Sequence, residues 1–251
     1  MAFKFLKTKL FLSISQTFSI MNPTIVVTGF GPFIGHEEVN ASWEAVRLLP
    51  DSLKSDQKIN YTIEKKCISV DYDDVNSAVD GIWAKKPALV VHCGVHGGTK
   101  CIRVEELAYN HKFNRKDYSG KKLVGGSACL ANNGTACCEI RTKLDVKKIV
   151  EKTAPLCGCN EPMVTSDDVG NYLCGYIYLK SLDKNSSRSL FVHVPPIDKP
   201  FSSADTSDMI LKIIAECIRQ IEELEEECQQ EDEFCDAECD QFCDIQTSDS
   251  A

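Results

Sequence analysis

The sequence predicts an α/β protein: a single domain in three α/β/α layers around a central, twisted, mostly parallel sheet. Three observations carry this. Two apolar runs, T-I-V-V-T-G-F from Thr24 and A-L-V-V-H-C-G from Ala88, are unbroken and closed by glycine, the pattern of strands buried on both faces. Strand-like and helix-like segments then alternate along the chain, which favours parallel pairing through helical crossovers. Finally, Val164 to Pro196 reads as strand, amphipathic helix, polar loop and strand, ended by Pro195-Pro196, which cannot continue a ladder.

The chain has 251 residues, 43% hydrophobic and 26% charged, with a net charge of −9. That is ordinary for a globular enzyme with one sizeable core. The charge is unevenly spread. From Gln220 onward there are thirteen acids and no Lys or Arg, whereas the first 20 residues hold three Lys and no acid. The rest is near neutral, so no basic patch predicts nucleic-acid binding. Residues 1–21 form a basic, interrupted apolar stretch, too short for a membrane span. It reads as a disposable leader, either a transit peptide or a poor signal peptide, or as sequence upstream of a working start at Met21. The domain is expected over 22–224, followed by an acidic tail at 225–251 that carries Cys228, Cys235, Cys239 and Cys243. Disorder is expected there; a metal-binding tail is the alternative.

The elements follow in order. After the first strand comes a loop with Gly29, Gly31 and Pro32, which displays Phe30 and Phe33 at the carboxyl end of a strand, where open α/β sheets bind ligands. Either phenylalanine could equally cap the core. Asn40 is positioned to N-cap a helix over 41–48. A polar turn, a strand over 60–69 and a helix over 73–85 read as scaffold. The second buried strand ends in G-V-H-G-G. His92 and His96 there are candidates for chemistry, and with Cys93 and Cys101 for a metal site, although the spacing fits no closed zinc pattern. Next, Glu105 and Glu106 interrupt an apolar run. Strand alternation sends them to opposite faces, so only one can point inward; the alternatives are an inward carboxylate that orients a histidine, or one solvent-facing glutamate and one surface salt bridge.

From His111 to Lys143 the chain is polar and reads as a long surface loop or hairpin. A helix is expected over 144–153 and a strand from Pro162. The helix after Asp168 carries Cys174 in its first turns, where amide N–H groups favour a thiolate. His193 lies in the strand that follows and can fold back beside it. An imidazole there can take the thiol proton and return it to a leaving amine. The bland alternative makes both residues core. A last long helix has apolar residues at Met209, Ile210, Ile213, Ile214, Cys217, Ile218, Ile221 and Leu224, a core-packing periodicity. Of the fourteen cysteines, Cys67, Cys93, Cys101 and Cys174 sit in apolar runs, where free cysteine behaves as a small hydrophobe, so no disulfide framework is expected. Four N-x-S/T patterns, at Asn40, Asn60, Asn133 and Asn185, read as incidental, and a reducing, cytosolic compartment is expected.

Several blocks resemble pyroglutamyl-peptidase I in the same order: T-G-F-G-P-F…V-N-A-S-W, P-A-L-V-V-H-C-G-V-H-G-G, T-K-C-I-R-V-E-E-L-A-Y-N, D-D-V-G-N-Y-L-C-G-Y and S-L-F-V-H-V-P-P. The Cys137-Cys138 pair is similar to animal members. The resemblance implies a cysteine omega-peptidase that removes N-terminal pyroglutamate (5-oxoproline) from peptides, with pyroglutamyl peptides as substrate and no metal or cofactor. It implies Cys174 as nucleophile, His193 as general base and acid, and Glu105 as the orienting carboxylate. It also implies a lactam pocket of Phe30 and Phe33, extended by Tyr172 and Leu173, with Asn40 beside it and Asn110 at a matching asparagine. Val169 departs from the alanine usual in the family, and Asn171 falls at a variable position. A non-catalytic binder of blocked N-termini on the same scaffold is the alternative. The sequence leaves the oligomeric state open.

Overall fold

The structure, a computed structural model, describes residues 22–33, 38–128, 130, 138–154 and 162–245, with side chains not described beyond 228. The leader at 1–21, Cys129 and Cys137 lie outside the described residues.

The first strand, β1, spans Thr24–Phe30. Its neighbours are β3 (Asn60–Ile68) and β4 (Leu89–Val95), both parallel to it. Next to β4 runs β9 (Ser189–Val194), also parallel, and then β5 (Ile102–Glu105), antiparallel to β9. β8 (Met163–Ser166) closes that side, parallel to β5. The other edge is β2 (Ser52–Lys54), antiparallel to β3. The seven-stranded sheet therefore has the order β2-β3-β1-β4-β9-β5-β8. β6 (Leu107–Tyr109) and β7 (Glu139–Arg141) form a separate antiparallel pair, so the expected polar loop is bracketed by a short hairpin.

Helices cover both faces, as expected. α1 (Ala41–Arg47), α3 (Val146–Thr153) and α5 (Ser203–Ile245) share one face. Their apolar stripes bury Val27, Val91, Cys93, Val104, Val192 and Val194 with Ile210, Ile213, Ile214 and Cys217. α2 (Tyr72–Trp83) and α4 (Leu173–Lys184) cover the other, where Val75, Val79, Ile177 and Leu182 pack with Phe30 and Phe191. Strand alternation sorts the residues: odd and even positions of β4 and β9 serve different helices.

The backbone of α5 is helical to Ile245, past the boundary expected at 224. Glu and Gln, both good helix formers, are frequent in that run and it has no Gly or Pro, so loss of the apolar stripe does not end the helix. Residues 246–251 lie outside the described residues. Leu224, expected on the packed face, is exposed. Among the described residues, no helix is long and apolar enough to cross a membrane.

Candidate active site

α4 starts with Cys174 as its second residue. Its N-cap, Tyr172, makes no side-chain capping bond, so the first-turn N–H groups stay available to an anion. Two glycines make the close packing possible. A Cβ on Gly94 of β4 would lie 2.8 Å from Cys174 Sγ and from Phe191 Cζ. One on Gly175 would lie 2.0 Å from the Gly170 carbonyl oxygen, so the incoming loop rests on the helix start only because no side chain intervenes.

His193 sits on β9 beneath that helix start. In the sheet register it pairs with Gly94 on one side and Arg103 on the other. Glu105 pairs with Phe191, two residues earlier on β9, so Glu105 and His193 are diagonal neighbours on one face. His193 Nδ1 donates to Glu105 Oε1 at 2.7 Å. Glu105 is fully buried and His193 is 3% exposed. Arg103 Nε lies 3.7 Å from the same carboxylate oxygen, and Arg103 donates to Ser166 Oγ at 2.7 Å. Tyr178 of α4 donates to the Glu105 carbonyl at 2.9 Å, which ties helix to strand. Burial pulls the His193 imidazole down, but hydrogen bonds and charge from Cys174 and Glu105 outweigh it and push it up to about 9. His193 thus holds a proton at neutral pH, beside the Cys174 side chain. This is the arrangement of a cysteine nucleophile with an imidazole partner and a carboxylate orienter.

Cys174 and His193 open into a cavity of about 270 Å³. The five residues expected there, Phe30, Phe33, Asn40, Tyr172 and Leu173, all line it. Asn40 also has its bland role. Its Oδ1 caps α1 by accepting from the Ser42 amide at 3.0 Å, and its Nδ2 donates to the Gly31 carbonyl at 3.0 Å. The phenylalanine loop is thereby braced against α1. Val169, the departure from alanine, is buried and lines the same cavity. A larger cavity of about 710 Å³ lies at the amino-terminal ends of β1, β4 and β9, lined by Pro23, Ala88 and Arg188 among others. It holds no thiol or imidazole, so the smaller cavity is the chemical one.

The remaining candidates separate cleanly. Glu106 points the other way and pairs with Arg141 at 3.1 Å, the surface salt bridge expected of one glutamate. Asn110 braces a loop: its side chain donates to the Ala128 carbonyl at 3.1 Å and accepts from the Ala128 amide at 2.7 Å. His92 is held between hydroxyls, with Thr28 Oγ1 at 2.8 Å and Ser181 Oγ at 2.7 Å. Cys93 belongs to the opposite face of the sheet, so the four metal candidates do not converge; among the described residues no cluster fit for a metal ion occurs. Sequence reading missed Val70 and Arg115, which line the cavity. Arg115 lies 4.3 Å over the Tyr172 ring, a cation–π distance. It comes from a polar loop without periodicity, which carries no signal for its placement.

Known proteins match this chain closely. The family model described as pyroglutamyl peptidase matches residues 23–222. "Pyroglutamyl-peptidase 1" of Rattus norvegicus is 34% identical over 202 residues, covering 80% of this chain and 92% of the relative; that of Homo sapiens gives the same figures. "Pyrrolidone-carboxylate peptidase" of Finegoldia magna is 28% identical over 208 residues, covering 78% of this chain and 92% of the relative. Among solved structures, pyroglutamyl peptidase I of Bacillus amyloliquefaciens shares the fold with a TM-score of 0.67 at 23% identity, covering 78% of this chain and 97% of that one. A mutant pyrrolidone carboxyl peptidase of Pyrococcus furiosus gives a TM-score of 0.67 at 22% identity, covering 79% and 99%. With a family match along nearly all of the α/β unit, the chain belongs to the pyroglutamyl peptidase family of cysteine peptidases.

Proposed function

We propose that the 270 Å³ cavity is a pyroglutamyl-peptide site and that Cys174, His193 and Glu105 are its catalytic triad. The observation that carries this is the 2.7 Å bond from His193 to a fully buried Glu105, made under the helix start that holds Cys174. The thiolate attacks the pyroglutamyl carbonyl carbon. The oxygen that becomes negative is stabilised by the free N–H groups of the first turn of α4. His193 then gives its proton to the departing peptide amine, and the C–N bond breaks to leave a thioester. Water, deprotonated by His193, hydrolyses the thioester and restores the thiol. Glu105 keeps the ring in the productive orientation and favours its cation.

The lining suits a neutral lactam. Phe30, Phe33, Val169, Tyr172 and Leu173 supply an apolar slot for a ring that carries no charge. We place the peptidase unit in residues 22–224, with 1–21 and 225–251 outside it. Cys67, Cys93, Cys101, Cys174, Cys217 and Cys228 are free thiols, which fits a reducing, cytosolic setting for a thiolate enzyme.

The test is release of a fluorescent amine from a pyroglutamyl amide by reduced protein, alongside a free-glutamyl amide and a Cys174→Ala variant. Turnover of the pyroglutamyl substrate alone, lost in Cys174→Ala, is expected. A folded, reduced protein that turns over neither substrate overturns the reading and leaves a binder of blocked N-termini.

A further inference from the structure

His96 lies in the loop after β4, and the triad does not use it. Its backbone N–H donates to the Val194 carbonyl at 2.9 Å, so the loop is pinned to β9 one residue beyond His193. Its ring stands edge-on to the His193 ring, with centroids 5.5 Å apart and planes at 78°. It lines the same cavity as Cys174 and His193. Of its two ring nitrogens, Nδ1 is sealed from solvent without a hydrogen-bond partner. The ring is only half-buried, so Nε2 is the polar atom left for the cavity. Burial, with the His193 and Arg103 charges, holds the imidazole below its ordinary value, so it is neutral at neutral pH. A neutral imidazole nitrogen can donate to a carbonyl or accept from an N–H.

The slot for the lactam is built from Phe30, Phe33, Val169, Tyr172 and Leu173, while His96 stands on the His193 side of the cavity. His193 must face the leaving amine, so the peptide that departs runs past His193. Resting on the peptidase reading above, we propose that His96 Nε2 hydrogen-bonds the first peptide group beyond the scissile bond and so makes the site prefer peptides to simple amides. A peptide group offers both a carbonyl and an N–H, so either can satisfy this nitrogen. An arylamide that ends at the scissile bond offers neither.

The experiment compares pyroglutamyl-alanyl-alanine with pyroglutamyl-anilide, whose leaving group has no carbonyl, on reduced full-length wild type, His96→Ala and His96→Gln. The ratio of kcat/KM for peptide over arylamide is expected to fall about tenfold in His96→Ala, the size of one lost hydrogen bond to substrate. His96→Gln, which keeps a donor and an acceptor, is expected to recover most of the ratio. An unchanged ratio overturns the proposal, whether both rates stay the same or fall together; a common fall makes His96 a prop for His193. Wild-type protein that cleaves neither compound overturns the peptidase reading as well, so the two failures are distinct.

Discussion

Helix α4 lies over two imidazoles. In its first turn Cys174 meets His193; two turns later Ser181 meets His92. The strands that carry them are paired, with His92 opposite Phe191, and both rings sit on the same face of the sheet. Both are almost sealed from solvent. Burial alone acts on His92 and pulls it down to about 3. On His193 the same burial is outweighed by Cys174 and Glu105, and the ring ends up at about 9. The partners account for the difference. Thr28 and Ser181 are hydroxyls that donate or accept as required, so they satisfy a neutral ring. A carboxylate only accepts, and it favours the cation. One end of the helix therefore meets a neutral ring held between hydroxyls, and the other a ring held as the cation.

The largest effect should come from removing that carboxylate charge. Glu105→Gln keeps the shape and loses the anion, and kcat should fall by about 10³–10⁴, as when a triad carboxylate becomes an amide. In the wild type, turnover should decline as pH rises through about 9, where His193 loses the proton destined for the leaving amine. In the variant that alkaline limb should move to lower pH. A kcat within tenfold of wild type, with the limb in place, would show that His193 owes its character to Cys174 alone.

His92 should respond in stability instead of rate. His92→Leu strands the buried Thr28 hydroxyl and leaves Ser181 Oγ with only the Trp83 N–H at 2.9 Å, and unfolding in urea should show a loss of roughly 1–3 kcal/mol, while kcat below the melting range stays within about threefold. The pH dependence separates the two rings further. A folded value near 3 lies below the unfolded value of about 6.5, so the unfolded chain binds the extra proton between them. Stability from His92 is present above about 6.5 and is lost as pH falls toward 3. His193 has the opposite sign: its contribution is full below about 6.5 and is lost as pH rises through about 9. His92→Leu should flatten the acid side of the stability profile, and Glu105→Gln the alkaline side. An unaltered acid side in His92→Leu would mean that other groups dominate it.

The sequence made one end of this helix more legible than the other. Cys174 reads at a helix start because the amphipathic segment after Asp168 carries it in its first turns, although the N-cap is Tyr172 and none of the polar residues before it; His193 reads in a strand by S-L-F-V-H-V-P-P, whose bounds the structure reproduces as Ser189–Val194. β1 and β4 were legible as apolar runs closed by glycine. The pairings were not. Local pattern does not record that β5 runs antiparallel to β9 and parallel to β8, yet that direction sets Glu105 diagonal to His193. The edge strand β2 has three residues, Ser52, Leu53 and Lys54, too few for a period. His92 read as a candidate for chemistry, and the two hydroxyls that hold it come from β1 and α4, 64 and 89 positions away. Arg115 reaches the cavity from a loop with no repeating pattern.

Alternation fixed that Glu105 and Glu106 point to opposite faces, and the register determines which one faces His193. The smallest effect should therefore belong to Glu106. Its carboxylate meets Arg141 at 3.1 Å, and both side chains reach solvent. An exposed pair of this kind contributes about 0.2–1 kcal/mol. The backbone of Glu106 is held independently, by its N–H to the Ser166 carbonyl at 2.7 Å and by the Thr142 N–H to its own carbonyl at 3.0 Å. Glu106→Gln should thus leave kcat/KM within about twofold and lower stability by less than about 1 kcal/mol, and added salt should erase most of that small loss. Measured beside Glu105→Gln, it asks whether one residue of strand register separates a carboxylate that acts on the triad from one that does not. Equal losses of kcat in the two variants would mean that negative charge near β5, and not its direction, sustains His193.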